Sequence, residues 1–352
     1  MPALPDLIDE VLAAPAGVSL LEALEASCRT DVAWFESIER SDPDAVERAA
    51  DFVTLMSFGE LVRHLVAGSE RIGGPWIGNA PRRLARAYLL APAREPIAAA
   101  VAARFAPTLR LDLDRGSQQW WNTAVRRADD WPALSSASRS VYCCGEFASN
   151  SLWTVTEPAA EVHDDLVDVW ELFPGPISRW KVPIDPTARV FEVHTAQDWA
   201  RLVGRYGRLT GRAHGGWELP GPNQDPSEGQ QLQLVSAGAA ARVGVRVAMP
   251  DWERVADDFD GVHVSWSGKL TCEGRIIDVV DLGDDVVTML RYWGSERTSW
   301  LNDVFGVPEP LDAPELSGRI SGDLGINADH PDRRAHDTRT LAALVGRDLF
   351  SI

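Results

Sequence analysis

Residues 259–271 read FDGVHVSWSGKLT, and the fold prediction starts from the alternation in this stretch. Asp260-Gly261 predicts a tight turn, because glycine accepts the positive φ that such turns need. The residues that follow alternate as in an extended chain, in which successive side chains point to opposite faces. The apolar side consists of Val262, Val264 and Trp266, and the polar side consists of His263, Ser265 and Ser267. Such a polar side either lines a site or simply faces water.

Two further segments repeat this pattern. In SLWTVTE, Thr154 and Thr156 share one side, opposite Trp153, and in VFEVH, Glu192 and His194 share one side. Antiparallel sheets commonly alternate apolar-in and polar-out, so a solvated sheet face is one interpretation. Histidine and glutamate beside small hydroxyls are also the groups that a polar cleft uses to orient a ligand and move protons.

The composition is typical of a soluble globular protein. The chain has 352 residues, 45% hydrophobic and 24% charged, which fits two domains or one large domain with an appendage. Its 14 tryptophans suit both cores and ligand clefts, because each has a large apolar ring and an N–H donor. The net charge of −18 disfavours nucleic acid as a partner, since nucleic-acid affinity depends largely on basic side chains neutralising phosphates.

The sequence also predicts the compartment. The N-terminal stretch MPALPDLIDEVL lacks a basic segment followed by an apolar run, so no secretory signal is expected. No apolar run reaches the length that a bilayer requires, so no membrane partner is expected. The four cysteines include no C-x-x-C and are too few to predict a disulfide framework. We therefore expect a reduced, cytoplasmic protein.

The predicted fold class is α+β, with a helical N-terminal region followed by a mixed, mainly antiparallel split β-sheet domain with short helices. Residues 1–110 form the predicted helical region, because apolar residues recur there at three- and four-residue spacing. Residues 111–310 form the predicted α+β domain with the cleft, and residues 311–352 a C-terminal loop and helix.

Individual elements follow from local patterns. The predicted strands are TLRLDLD, VYCC, SLWTVTE, ARVFEVHT, GVRVAMP, GVHVSW and VVTMLRYW. The segment HTAQDWARLVGRYG predicts a helix that begins at a near capping box of Thr195 and Asp198. MPDWERVADDF predicts a helix capped by Asp251, and GSERTSWLNDVFG predicts one that begins at Ser295 and ends at Gly306.

Other site types have ordinary structural explanations. The segment ADHPDRRAHD contains histidines and aspartates, but their spacing fits no standard zinc pattern, and we interpret it as a solvated loop. Cys143 or Cys144 would be a nucleophile if His194 or His263 served as base, although a cysteine in an apolar strand is more often inert core. The chain has no G-x-S-x-G elbow, Walker loop or G-x-G-x-x-G. No metal is predicted.

Roughly residues 141–305 resemble the ADP-ribosyltransferase-like superfamily at the level of motifs. SLWTVTEP is similar to the S-T-S strand of that family, ARVFEVHT to the strand that follows, and FDGVHVSW to a phrase late in several toxin-like members. The resemblance implies a split-sheet cleft that holds NAD, as substrate, in a bent form. The E-x-E or Q-x-E of the family does not occur, and its first-strand Arg or His corresponds to His194, His263 or Arg139.

The resemblance also implies roles for the polar residues. A carboxylate, Glu273 or Glu192, would stabilise the positive charge that develops on the ribose when the nicotinamide–ribose bond breaks. Thr154 and Thr156 would position the ribose and the carboxylate, and Ser265 would add a further hydroxyl group. The ring of Trp153 or Trp266 would stack on nicotinamide. His194 or His263 would form a hydrogen bond with the ribose or the diphosphate.

The sequence thus predicts an NAD-consuming, ADP-ribosyltransferase-like enzyme that transfers or hydrolyses at the nicotinamide–ribose bond, with the acceptor, a protein or another molecule, left open. The alternative is a non-catalytic binding protein with a tryptophan-rich interface, since aromatic residues are enriched at interfaces. A common cleft with Thr154, His194, His263 and a carboxylate favours the enzyme. Polar faces spread over open solvent favour the binding protein.

Overall fold

The computed structural model describes residues 4–29, 40–73, 87–122, 152–156, 178–210, 246–290, 293 and 295–311. The predicted α+β class and the helical N-terminal region are confirmed. Several predictions lie outside the described residues, namely those for Arg139, Cys143, Cys144, the ADHPDRRAHD segment and nearly all of residues 311–352.

Helices dominate the first region. Their bounds are Leu4–Ala13 (α1), Pro15–Ser27 (α2), Pro43–Leu55 (α3), Phe58–Gly73 (α4) and Glu95–Leu109 (α5), with a 3-10 turn at Ala91–Arg94. The sequence accounts for the start of α3, because Asp42 accepts a hydrogen bond from the Asp44 backbone N–H and Pro43 occupies the first turn. A second start follows at once, because Ser57 and Glu60 form a reciprocal capping box for α4. The chain therefore forms two separate helices here, α3 and α4, although apolar residues recur at helical spacing through both.

Two sheets follow. The remaining bounds are Gln118–Asn122 (β1), Leu152–Thr156 (β2), Ser178–Lys181 (β3), Val190–Val193 (β4), Ala196–Tyr206 (α6), Gly207–Thr210 (β5), Arg246–Pro250 (β6), Trp252–Asp258 (α7), Gly261–Val264 (β7), Trp266–Cys272 (α8), Ile277–Asp278 (β8), Val286–Thr288 (β9), Arg297–Trp300 (β10) and Glu309–Leu311 (β11). The larger sheet has the order β11-β3-β1-β2-β10-β7-β4, antiparallel except for β4 with β7. The smaller sheet has the order β5-β6-β9-β8.

The apolar face of the larger sheet is covered on both halves. The N-terminal helices share one core cluster with Val155 of β2 and with Trp266 and Leu270 of α8. Helices α6 and α7 and the smaller sheet share another cluster with Val193 of β4 and Val264 of β7. The central strands therefore bury the side opposite to their polar residues. Their polar side is buried as well, since Thr154, His263 and Thr298 are at most 1% exposed, so it is not a solvated sheet face. The boundary at residue 110 as a division between domains stays a prediction.

Two predicted helix starts are confirmed. Thr195 and Asp198 form a full capping box at α6, in which each side chain accepts a backbone N–H of the other. Asp251 caps α7 by accepting from the Arg254 backbone N–H.

Two other element predictions are wrong. GSERTSWLNDVFG is not a helix, because Arg297–Trp300 is strand β10 between β2 and β7, and pairing on both sides overrides the cap-like Ser295. TLRLDLD is not a strand, because α5 continues to Leu109. Its later residues form no ladder, and Leu113 donates its backbone N–H to the Glu192 side chain instead. The alternation there reflects one buried leucine beside an exposed one, Leu113 and Leu111.

The opening stretch is also shorter as a strand than its pattern predicts. Strand β7 ends at Val264, because the Ser265 hydroxyl accepts the Gly268 backbone N–H and starts helix α8. Ser267 therefore lies in a helix and does not share the polar side of the strand. Gly261 is not a positive-φ residue; its missing side chain leaves room for the Trp300 ring, which lies 2.8 Å from where a Cβ would stand.

Within the described residues, no helix combines the length and apolarity that crossing a membrane requires.

The capping box of α4 predicts a pH-dependent contribution to stability. The Ser57 backbone N–H and hydroxyl donate to Glu60 and hold the pKa of that carboxyl below its ordinary value of 4.5. This contribution is present above 4.5 and is lost as the pH falls through the lower folded-state pKa. Glu60→Gln should therefore lower the free energy of unfolding at neutral pH by less than about 1 kcal/mol, since the group is exposed, and the difference should shrink in acid.

Urea unfolding of both proteins at neutral and acidic pH measures this difference. Glu47→Gln is the matched control, because Glu47 is exposed on α3 and the same charge is removed. A difference between wild type and Glu60→Gln that is independent of pH would contradict the role of the Glu60 carboxylate.

Candidate functional site

Polar side chains form a continuous layer on one face of the larger sheet. Strand register places Thr154 opposite Thr298, Thr298 opposite His263, and His263 opposite Glu192. Directly paired residues share a face, so these four side chains stand in one row across β2, β10, β7 and β4. A second row holds the residues two positions along each strand: Thr156, Glu296, Ser265 and His194.

His263 lies at the centre of this layer between two carboxylates. Its Nδ1 bonds Glu192 Oε2, and its Nε2 lies 2.8 Å from Glu296 Oε1. Burial by itself lowers the pKa of His263, but the hydrogen bonds and charges of Glu192 and Glu296 outweigh burial and raise the pKa to about 9. Carboxylates accept only, so both ring nitrogens donate and the ring is an imidazolium. The side chain of His263 is 1% exposed, so a buried charge is held by two opposite charges.

A hydrogen-bond chain connects this triplet with the threonines. Glu296 Oε2 accepts the Thr156 backbone N–H at 3.1 Å, and Thr156 Oγ1 accepts from Gln118 Nε2 at 2.8 Å. Gln118 Oε1 accepts from Thr154 Oγ1, which in turn accepts the Trp300 indole N–H at 2.8 Å. The polar layer is therefore one network from Trp300 to Glu192, and it fixes the rotamers of its members.

The network reaches solvent at the edge strand β4. Glu192 Oε1 accepts the Leu113 backbone N–H at 3.2 Å, and the Glu192 side chain is 26% exposed. His194 Nδ1 lies 2.9 Å from Ser265 Oγ, and His194 Nε2 lies 3.0 Å from Asp112 Oδ1. Asp112, Glu192 and His194 each place one possible ligand atom within 4.8 Å of the others. This edge is the part of the polar layer that a ligand can approach.

The structure brings six of the predicted site residues into this layer: Thr154, Thr156, Glu192, His194, His263 and Ser265. Trp153 lies on the opposite face of β2. The Trp153 ring belongs to the side that packs against the N-terminal helices, with Arg297 over it at 5.9 Å from the centroid. It therefore stands away from the polar layer.

Two predicted residues lie elsewhere. Trp266 begins α8, and its ring is buried in the cluster of the N-terminal helices. Glu273 follows the other end of α8, where its carboxylate accepts from Lys269 Nζ at 2.8 Å and its backbone bridges to Leu290. Alternation predicts Trp266 on the apolar side, and its ring is buried among apolar residues, so only the stacking role that the resemblance implies does not fit its position.

Four polar residues of the layer were missed by the sequence analysis: Glu296, Gln118, Thr298 and Asp112. The sequence pattern places Glu296 and Thr298 in the predicted helix GSERTSWLNDVFG, and Asp112 in the predicted strand TLRLDLD. The available signal for Thr298 was the parity of RTSW, in which Thr298 and Trp300 share one face. For Asp112 no local pattern indicates the contact, because it comes from a segment 82 positions from His194.

Comparison of the chain with protein-family models, with curated proteins and with solved structures gives no match. The site is therefore interpreted from its own residues.

We expect substitutions of the two neighbouring threonines in the first row to have different effects on the free energy of unfolding. Thr154 and Thr298 are both fully buried. The Thr154 hydroxyl donates a hydrogen bond to Gln118 and accepts one from Trp300, whereas the Thr298 hydroxyl has no hydrogen-bond partner in the described part of the chain. Thr154→Val should lower the free energy of unfolding by about 1–3 kcal/mol, because it leaves two buried polar groups without their hydrogen-bond partner. Thr298→Val should leave it unchanged or raise it, because no partner is lost.

Urea unfolding of the two valine variants and wild type checks this difference, and each variant is the other's control for shape. A loss with Thr298→Val as large as that with Thr154→Val would show that a partner, such as a bound water, satisfies the Thr298 hydroxyl.

Proposed function

We propose that the polar layer cleaves the nicotinamide–ribose bond of NAD and passes the ADP-ribosyl group to water or to another acceptor. The observation that supports this proposal is the partly exposed carboxylate of Glu192, held in a fixed position by the buried His263 imidazolium and the Leu113 backbone N–H. A fixed carboxylate beside a water-poor polar layer is a good stabiliser for positive charge that appears only in the transition state.

The reaction fits the protonation of the site. When the bond breaks, its electron pair leaves with nicotinamide, which departs as a neutral base and needs no proton from the protein. In hydrolysis, water then adds to the anomeric carbon and releases one proton. Both ring nitrogens of His263 are engaged by carboxylates, so this imidazolium is not available as an acid to a leaving group. Such a site therefore suits nicotinamide, which departs without a proton, better than it suits a sugar alcohol, which must be protonated as it leaves.

The charge of the layer supports the same conclusion. One imidazolium and the two carboxylates Glu192 and Glu296 leave a surplus of one negative charge close to the open edge. An oxocarbenium-like ribose next to Glu192 would be attracted by that surplus. We assign Glu192 to the stabilising carboxylate, and Glu296 and His263 to positioning it.

The hydroxyl groups have more limited roles than the resemblance implies. Thr154 and Thr156 are bound to Gln118 and Glu296, so they hold the layer in register instead of offering free donors to a ribose. His194 is the imidazole nearer to solvent, with its side chain 20% exposed, and is our candidate for a hydrogen bond to the ribose or diphosphate. Trp153 and Trp266 are not assigned a stacking role, because both rings face the helical core.

The described tryptophans argue against the alternative of a tryptophan-rich interface. Among the tryptophan side chains that the structure describes, those fully inside the protein are Trp120, Trp199, Trp252, Trp266, Trp293 and Trp300, while Trp153 and Trp180 are half-buried. Tryptophan supplies core volume in this part of the chain.

Nicotinamide release from NAD tests the proposal. Wild type should release nicotinamide, and Glu192→Gln should do so about 10²–10³ times more slowly, as is typical when one charge-stabilising group is removed. The amide keeps the shape of the side chain, and its one oxygen can accept from His263 while the Leu113 backbone N–H loses its acceptor. Circular dichroism therefore checks that the variant retains the wild-type fold. Glu253→Gln, on the exposed side of α7, is the charge-matched control and should turn over NAD at the wild-type rate.

The assay is run on the full chain, with and without a mixture of candidate protein acceptors. Wild type that releases no nicotinamide under either condition would overturn the proposal. Equal rates for wild type and Glu192→Gln would overturn the assignment of Glu192.

A further inference from the structure

We infer that Asp112, Glu192 and His194 form a binding site for one divalent transition-metal ion. One possible ligand atom from each of these residues lies within 4.8 Å of those of the other two. Ligand atoms about 2.0–2.2 Å from a common ion stand at such separations from one another. Glu192 lies on strand β4 and His194 follows directly after its last residue, so the extended backbone places these two side chains on the same face.

Asp112 completes the set from a separate segment. The chain that leaves α5 passes this end of the sheet and is anchored there by the Leu113 backbone N–H on Glu192. Asp112 thereby comes to face His194 Nε2 at 3.0 Å, although its side chain is 81% exposed and is held by no second contact among the described hydrogen bonds. An exposed carboxylate that turns toward an imidazole nitrogen is suitably placed to close a ligand set.

The partners behind the ligands are those that metal sites use. A ligating histidine nearly always donates its other ring N–H to an acceptor, and that bond fixes the ring. Here His194 Nδ1 lies 2.9 Å from Ser265 Oγ, which can accept its proton because the serine hydroxyl has its own acceptor in the Val193 carbonyl at 3.3 Å. The tautomer that ligates through Nε2 is therefore supported by hydrogen bonds that already exist.

Glu192 has comparable support. Its two oxygens receive the His263 ring and the Leu113 backbone N–H, and ligating carboxylates are held in this way by outer hydrogen bonds. Neither of these groups belongs to the ligand set, so the support is independent of it. The buried His263 ring holds the carboxylate from the protein side, and the Glu192 side chain is 26% exposed at the edge of the sheet.

The donor set indicates the class of ion. One imidazole nitrogen with two carboxylate oxygens suits Mn²⁺, Zn²⁺ or Co²⁺, whereas Mg²⁺ and Ca²⁺ prefer oxygen ligands alone. Three protein ligands at an exposed edge leave positions for water or for an oxygen atom of a ligand.

An ion at this place would have a consequence for the proposed reaction, and this one step rests on the proposed function. A cation bound to Glu192 would neutralise the charge that the ribosyl group requires, so metal and NAD turnover should compete. Binding of the ion itself is measured without NAD, so a failure of either proposal can be recognised separately.

Mn²⁺ titration of the full chain is the direct test. The protein is freed of metal with a chelator, the chelator and any histidine tag are removed, and free Mn²⁺ is followed by its electron paramagnetic resonance signal. Wild type should bind one Mn²⁺ per chain, and Zn²⁺ should displace it. Asp112→Asn should bind at least about tenfold more weakly, and His194→Gln likewise, since each removes a ligand.

Asp284→Asn is the control, because it removes the same charge from another exposed position and should leave Mn²⁺ affinity unchanged. Asp112 is exposed, so its variant should retain the wild-type Tm in the absence of metal. No bound Mn²⁺ in wild type would overturn the site, as would binding that neither Asp112→Asn nor His194→Gln weakens. Bound Mn²⁺ together with unchanged nicotinamide release would retain the site and remove only its competition with turnover.

Discussion

The buried imidazolium of His263 is the constraint on which the polar layer depends. A charge inside a protein is tolerated only with opposite charges in good geometry, and His263 has Glu192 on one side and Glu296 on the other. These residues belong to β4, to β7 and to the approach to β10, so the three segments must align in one register. A slip of one residue would turn the carboxylates to the apolar face, which the helices and the smaller sheet cover.

The same triplet gives the open edge of the candidate site a negative charge. Its three charges sum to minus one, and the carboxylate that solvent reaches is Glu192, because Glu296 is only 5% exposed. A positively charged species at the edge of β4 therefore meets a fixed, preorganised partner. The two species that we propose, an oxocarbenium-like ribose and a divalent ion, would both be attracted to Glu192 for the same physical reason.

The sequence predicts the layer only as far as local periodicity reaches. Alternation in β2, β4 and β7 places Thr154, Glu192 and His263 on polar faces, and the sheet then joins these faces through its register. Glu296 escapes prediction because a serine followed by a mixed polar and apolar stretch is also typical of a capped helix. Strand pairing on both sides decides that case, and pairing over more than a hundred residues is not encoded in any short window. Alternation places Ser267 on the polar side of the strand, but Ser267 lies in α8 because Ser265 caps that helix.

The position of the site at the edge of the sheet follows from the cost of burying polar groups. Thr154 and Gln118, in the middle of the sheet, satisfy each other and leave nothing for a ligand. At β4 the row has no further strand, so Glu192 and His194 end the network with side chains that solvent can reach. A closed polar network must have such an end if it is to act on anything outside the protein, and its rigid interior is what holds that end in place.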